Sequence, residues 1–402
     1  MSKLSLGHKN VTGQCFSLLP VEKYTCPILN YDYDKLSVDA LFKIGVAAQL
    51  NKWQSYDEIV EGLSCEPEVL NELNLKSISA SQLSRRINDL PTEWVQDVFF
   101  KTIELLERLT KGDKKESSRM GPFYIVDSTP LKLPLNRCDW AKMSSSMSAV
   151  KMHLCLAHIS DNISYPVKML PSTGNVSDFE SVDYLIEKSD YTYLMDRGYP
   201  STKNLEHWLK NDIKFVARIT KSIKVFERTD FTPTHPSVQC DAEVYFGLSK
   251  IPVRLVEFYD DQQRFYRIMT NRWDLTDQEI MKAYRKRWEI ENFFKWIKQH
   301  LRFTEVWSTK PQGIWNQMFF ALIAQIITLI IKLTTNTKKT DWEVLRIIRI
   351  YWIRPWVDLL GELNKKKRKS SKGRRKIPNS TNNNEVIFSE TVARIKPRKR
   401  KI

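Results

Sequence analysis

Between residues 284 and 298 the sequence places Tyr284, Arg287, Glu291 and Lys298 at offsets of three, seven and fourteen residues. In a helix, at about 100° per residue, those offsets put all four side chains within an arc of roughly 60° on one face. A carboxylate is thereby held among cations and a phenol. Ala283, Ile290, Phe293 and Ile297 supply an opposite, apolar face that presses the helix onto a core and turns the polar stripe toward a partner. The same stripe also describes a solvated face with ion pairs such as Arg287 to Glu291, each worth about 0.2–0.5 kcal/mol. What else converges on Glu291 therefore decides its chemistry. Two more carboxylates follow short apolar runs: Asp127 after Phe123-Tyr124-Ile125-Val126, and Asp196 after Tyr191-Thr192-Tyr193-Leu194-Met195. Each run suits a strand buried on both faces, and an Asp at its end emerges at the carboxyl edge of an α/β sheet, where ligands sit. Taken singly, either Asp fits a turn or a helix N-cap equally well.

The order Tyr, two residues, Arg, three residues, Glu, six residues, Lys resembles the catalytic helix of the DDE transposases of the insertion-sequence-4 family. Asp127-Ser128-Thr129 and Asp196-Arg197-Gly198-Tyr199 also match that family's pattern, so the resemblance runs from about Pro122 to Lys332. It implies that Asp127, Asp196 and Glu291 are the metal-binding catalytic triad. It further implies that Tyr284, Arg287 and Lys298 contact the transposon end, and Lys295 on the same helix joins the DNA-facing set. Two ionised carboxylates 4 Å apart repel by about 4 kcal/mol at an effective dielectric of 20, so three persist as anions only around cations. Hard oxygen donors select magnesium or manganese. Two such ions serve an in-line phosphoryl displacement by activating the attacking oxygen and stabilising the leaving one. Water would be the nucleophile for nicking and a freed 3′ hydroxyl the nucleophile for joining. By resemblance the reaction is cut-and-paste transposition on double-stranded transposon ends and target DNA, through a hairpin intermediate, by a homodimer that holds two ends together.

The resemblance implies an α/β fold: an RNase H-like catalytic core with a β-rich insertion, plus an all-α amino-terminal domain. The expected order is the Asp127 strand, a strand at Lys151 to Leu156, a partner at Tyr165 to Leu170, a helix, and then the Asp196 strand. Lys151 and His153 match the family's strand pattern, and His153 is a candidate to line the site without a metal role. Strands are expected at Phe215–Ile219, Ile223–Glu227, Ala242–Leu248, Val253–Phe258 and Phe265–Thr270, separated by turn-prone residues. They make up an insertion at about 213–272. In the family an aromatic from this region stacks on a flipped base, and Phe265 or Tyr266 suits by position. Thr276-Asp277-Gln278-Glu279 is a capping box opening the catalytic helix.

Upstream, Leu36 to Leu50 has helical spacing, and Ser55-Tyr56-Asp57-Glu58 and Ser79-Ala80-Ser81-Gln82 are capping-box patterns. The second opens a short helix with Arg85 and Arg86, ended by Pro91, and a longer helix follows from Thr92 to Leu109. Two short helices before a cationic one are compatible with a DNA-reading helix-turn-helix and with an ordinary bundle. By resemblance Arg85 and Arg86 are DNA-binding candidates. The domains are thus expected at 1–115 (helical, DNA-binding), 116–335 (catalytic, interrupted by the insertion) and 336–402 (a helical segment and a basic tail), with Lys111 to Met120 as linker.

The net charge of +16 is unevenly held, because residues 361–402 carry 15 Lys or Arg against 3 Glu, leaving about +4 for the rest. The runs Lys365 to Lys376 and Arg394 to Lys401 suit a solvated tail that adds salt-sensitive phosphate attraction. Six scattered cysteines without a Cys-x-x-Cys pair indicate neither a zinc cage nor a disulfide framework. Together with a polar start at Met1 to Asn10, they suit a cytoplasmic, nucleoid-associated protein. Ile314 to Ile331 is apolar, but Asn316, Gln317 and Gln325 interrupt it, so a buried core helix is expected rather than a membrane span. Two alternatives stay open at this point: a cleavage-deficient or domesticated RNase H-like DNA-binding protein or nuclease, and a membrane-associated basic protein.

Overall fold

In the computed structural model, which describes residues 10–31, 35–110, 120–301 and 304–365, six α-helices precede the first strand. They are α1 (Val11–Ser17), α2 (Val38–Asn51), α3 (Tyr56–Ser64), α4 (Pro67–Glu72), α5 (Ala80–Asp89) and α6 (Thr92–Thr110). The two expected from serine caps, and α2 as well, begin where a hydroxyl accepts an otherwise unpaired N–H: Ser55 from Glu58, Ser79 from Gln82 and Ser37 from Ala40. Leu90 is extended, as the residue before Pro91 must be, and α5 stops there. The linker at 111–119 and the basic tail beyond residue 365 lie outside the described residues.

Ten strands among the described residues form one sheet: β1 (Phe123–Leu133), β2 (Lys142–Ser144), β3 (Met147–Ser160), β4 (Ile163–Thr173), β5 (Thr192–Met195), β6 (Phe215–Arg218), β7 (Val225–Asp230), β8 (Val238–Phe246), β9 (Val253–Tyr259) and β10 (Phe265–Thr270). The order is β2-β3-β1-β5-β6-β10-β9-β8-β7, with β4 on β3. β1, β3 and β4 are antiparallel neighbours, whereas β5 and β6 run parallel to β1. α7 (Asp178–Leu185) makes the crossover from β4 to β5, and α8 (Thr202–Lys210) makes the one from β5 to β6. The expected order of elements is therefore present. The strand-rich segment that follows belongs to the same sheet. β10 returns antiparallel onto β6, with Ile268 opposite Arg218, so β7 to β10 extend the sheet and cover the edge that β6 would otherwise expose.

β1 also departs from expectation, because it does not end at Asp127. Parallel pairing with β5 stops at Val126 opposite Met195, but β1 runs on to Leu133 paired with β3 alone. Asp127 is thus a mid-strand residue at the point where the parallel ladder ends.

After the sheet come α9 (Asp277–Arg285), α10 (Trp288–His300), α11 (Pro311–Thr334), α12 (Asp341–Ile350) and α13 (Trp356–Asn364). α11 is long and apolar enough to cross a membrane, yet 94% of its most apolar stretch is buried inside the protein. It packs against α2, α5, α6 and β4, so the amino-terminal helices and the sheet share one hydrophobic core. Its polar interruptions are paired. Asn316 donates to the carbonyls of Ile87 (2.9 Å) and Leu90 (2.8 Å) at the end of α5, and Gln317 donates to Glu305 O at 2.8 Å.

α2 approaches α11 at Gly45, where a Cβ would fall 2.5 Å from the Phe320 ring. Gly45→Val is therefore expected to destabilise the fold by about 3 kcal/mol through overpacking. The change should appear as a lower denaturation midpoint at unchanged slope. An unshifted midpoint would mean that Phe320 swings aside freely.

Candidate active site

Three adjacent parallel strands deliver the first part of the site by register alone. Val126, Met195 and Ala217 stand side by side on β1, β5 and β6, so the residues that follow them, Asp127, Asp196 and Arg218, emerge at one level of the sheet. Thr276 and Glu279 close a reciprocal capping box at the start of α9, as the sequence indicates. Asp277 beside them is buried and accepts the backbone N–H of Thr234 (2.7 Å) and His235 (3.2 Å), together with the Thr234 hydroxyl. The start of α9 is thereby pinned to the loop between β7 and β8.

The single helix expected across 284–298 is interrupted. α9 ends at Arg285 and α10 begins at Trp288, with three-residue hydrogen bonds between them: Arg287 N to Tyr284 O and Glu289 N to Lys286 O, both 3.0 Å. This tight turn advances the chain faster around the axis than an α-helix does, so Tyr284 and Arg287 reach different carboxylates. Tyr284 Oη donates to Asp196 Oδ1 at 3.0 Å. Arg287 donates through Nη2 to Glu291 Oε1 at 2.6 Å and through Nη1 to Asp127 Oδ2 at 3.4 Å. Arg218 Nη1 stands 3.7 Å from Asp196 Oδ1. α10 lies on β1 and buries Ile290, Phe293 and Ile297, as anticipated from the sequence, together with Phe294.

Burial pushes the Asp127 carboxyl up to about 6, reinforced by Asp178 and Asp196 and opposed by the Ser128 backbone N–H and Arg287. Burial alone would weaken the proton affinity of Arg287, but the bond to Glu291 and the charges of Asp196 and Asp127 more than offset it, so the guanidinium stays charged. The Tyr284 hydroxyl is raised by burial and then by Asp196, which keeps it a donor. Among the described residues no three His, Cys, Asp or Glu side chains stand close enough as placed to share one ion. The donor chemistry of Asp127, Asp196 and Glu291 nonetheless fits a hard divalent cation. The Arg287 guanidinium bridges two of the three, Asp127 and Glu291.

The remaining candidates are placed as follows. Lys298 donates to Pro130 O on β1 at 3.4 Å, and burial lowers its pKa. Lys295 lies 4.9 Å over the half-exposed ring of Trp288. Arg85 is exposed, but Arg86 turns inward and donates to Leu36 O at 3.0 Å, which corrects its expected place on an outer DNA-facing surface. His153 is buried with Nε2 2.9 Å from Ser172 Oγ. Tyr266 carries Arg218 at 4.6 Å over its ring and meets Tyr284 edge-on, whereas Phe265 packs on Tyr259. An open groove of about 480 Å³ beside the carboxylates is lined by Arg218, Tyr266, Tyr284, Arg287 and Trp288 among others. Arg218 was not singled out in the sequence. The rule that found Asp196 would have found it, because Arg218 is the lone charge closing the apolar run Phe215-Val216-Ala217.

The family profile described as a transposase DDE domain matches residues 118–327. The chain is 26% identical over 254 residues to a protein of Geobacillus stearothermophilus named as a probable transposase for an insertion sequence element, an alignment covering 61% of this chain and 66% of the relative. A similarly named transposase of Sinorhizobium fredii is 30% identical over 267 residues (62% of this chain, 70% of the relative). An insertion-sequence relative from Synechocystis, named in the same terms, is 26% identical over 166 residues (39% and 46%). The chain thus spans just under two thirds of the first of these relatives.

Proposed function

The chain belongs to the transposase DDE-domain family, and from that premise we propose that it is an insertion-sequence transposase that cuts and joins DNA strands by metal-dependent phosphoryl transfer. The observation that carries this reading is the linkage of three carboxylates from two strands and a helix: Arg287 bridges Asp127 and Glu291, and Tyr284, three residues before it, donates to Asp196, which stands level with Asp127 in the sheet. The three carboxylates are the metal ligands. When bound, a pair of Mg2+ or Mn2+ ions would polarise the attacking and leaving oxygens of an in-line displacement.

The chain's own groups do the rest. Tyr284 orients the Asp196 carboxylate, and Arg218, Arg287 and Lys298 surround the position of the scissile phosphate with positive charge. The half-exposed Trp288 offers a ring face in the adjoining groove for an unstacked base. The strand order β4-β3-β1-β5-β6 supports an RNase H-like core, with β7 to β10 as the insertion. Tyr284, Arg287, Glu291 and Lys298 support placement in the insertion-sequence-4 group. Residues 1–115 form the end-binding domain with Arg85 on its surface, 116–335 the catalytic domain, and 336–402 a helical segment and basic tail. The protein works in the cytoplasm on nucleoid DNA, as a homodimer holding two transposon ends, by cut-and-paste.

The test is incubation of the full chain with DNA carrying the inverted repeats that flank its own gene. Nicking that requires Mg2+ or Mn2+, leaves a 3′ hydroxyl and disappears in Asp127→Ala is expected. Cutting that persists in Asp127→Ala would refute the site.

A further inference from the structure

Behind the catalytic carboxylates lies a second polar cluster to which the chemistry above assigns no role. Its centre is Asp178, the first residue of α7, whose backbone is fixed by a reciprocal capping box between Ser177 and Glu180. Asp178 Oδ1 accepts from Ser128 Oγ at 2.7 Å and from Lys151 Nζ of β3 at 3.3 Å. Lys151 is itself held by Val176 O at 2.9 Å. On the other side Gly198 leaves a gap, since even an added Cβ there would fall 3.4 Å from Asp178 Oδ2. His153, kept neutral because burial lowers its pKa to about 4, closes the cluster with Nδ1 3.6 Å from Asp178 Oδ1.

The contact with Ser128 reaches the strand that carries Asp127. Ser128 follows Asp127 and donates its backbone N–H to Asp127 Oδ1 at 2.8 Å, while Gly198 lies two residues beyond Asp196. With the Ser128 hydroxyl directed at Asp178, the Ser128 backbone N–H sets the orientation of the Asp127 carboxylate. We propose that Asp178 is a positioning residue that fixes Asp127 through Ser128. The inference rests on the functional reading above. Asp178 Oδ1 is engaged by Ser128 and Lys151.

The test compares Asp178→Ala, Asp178→Asn, Ser128→Ala and the Ser128→Ala/Asp178→Ala double variant in the full-length protein. The readouts are Mn2+ affinity by calorimetry and Mn2+-dependent nicking of plasmid DNA. Removing a group that orients a metal ligand typically costs about 10- to 100-fold, so Asp178→Ala and Ser128→Ala should each lose about tenfold in both readouts. The double variant should be no worse than either single one, because the two side chains act as one unit. Asp178→Asn keeps an oxygen acceptor for Ser128 and should stay within about threefold of the parent. Parent-like behaviour of Asp178→Ala would overturn the proposal. So would losses that multiply in the double variant. Equal losses in Asp178→Asn and Asp178→Ala would also overturn it, by showing that the charge acts through space. If Asp178→Ala fails to fold by circular dichroism, Ser128→Ala decides alone: a tenfold loss supports the proposal and parent-like values refute it. Asp127→Ala separates the levels of failure. If it retains Mn2+ binding and nicking, the catalytic assignment itself falls; if it is inactive while Asp178→Ala is normal, only this inference falls.

Discussion

Glu291→Gln is expected to slow single-turnover strand cleavage by about a thousandfold, the equivalent of about 4 kcal/mol, while the protein stays folded and keeps its grip on DNA. The amide matches the carboxylate in shape, and α10 is held by Ile290, Phe293, Phe294 and Ile297 rather than by the glutamate. What is lost is one anionic oxygen pair of three, and metal-centred stabilisation of a phosphoryl transition state is worth several kcal/mol. Arg287 loses the charge of its nearest partner at 2.6 Å but keeps an oxygen acceptor there and retains Asp127, so the local arrangement survives. DNA affinity should be unchanged or slightly higher, since a negative charge facing phosphate has been removed. A variant that cleaves within tenfold of the parent would take Glu291 out of the triad. A loss of cleavage accompanied by loss of cooperative melting would leave the role unsupported and count against the assumption that the glutamate is dispensable to the fold.

Much of this site is legible in the sequence because its parts are local. The apolar runs before Asp127 and Asp196 mark buried parallel strands, and the capping box at Thr276 marks the helix start. What escaped is set by pairings between distant segments. Nothing in Lys286-Arg287 signals a break, since both are good helix formers, and the tight turn is seen only in its i to i−3 hydrogen bonds. Arg218 acquires meaning once β6 is known to lie parallel beside β5. Asp178 reads as an ordinary first-turn acid until Ser128 and Lys151 meet it from fifty and twenty-seven residues away. Asn316 and Gln317 look like flaws in an apolar helix, and their partners are carbonyls at the end of α5 and before α11. Arg85 and Arg86 illustrate the same limit, because adjacent arginines on one helix turn to opposite environments.

Arg287→Ala is expected to act on the fold and on metal binding together, and Lys298→Ala on neither. From the sequence both cations belong to one DNA-facing stripe, but the structure separates them. Lys298 meets a carbonyl on β1, whereas Arg287, 13% exposed, joins Asp127 and Glu291. Deleting the guanidinium leaves those carboxylates facing one another without a cation. Breaking a fully buried pair costs about 3–5 kcal/mol, and for carboxylates that are 22% and 29% exposed a loss of about 2 kcal/mol is the scale expected. Mn2+ should then recover more stability in Arg287→Ala than in the parent, because stabilisation by a bound ligand grows with the logarithm of its affinity and the ion no longer competes with a resident side chain. Melting curves with and without saturating Mn2+ would show this as a larger upward shift for the variant. Cleavage should nevertheless fall, since the same guanidinium also counters phosphate charge. Equal Mn2+-induced shifts in Arg287→Ala, Lys298→Ala and the parent would mean that the guanidinium does not sit on the carboxylates in solution, and the stripe would return to a simple DNA clamp.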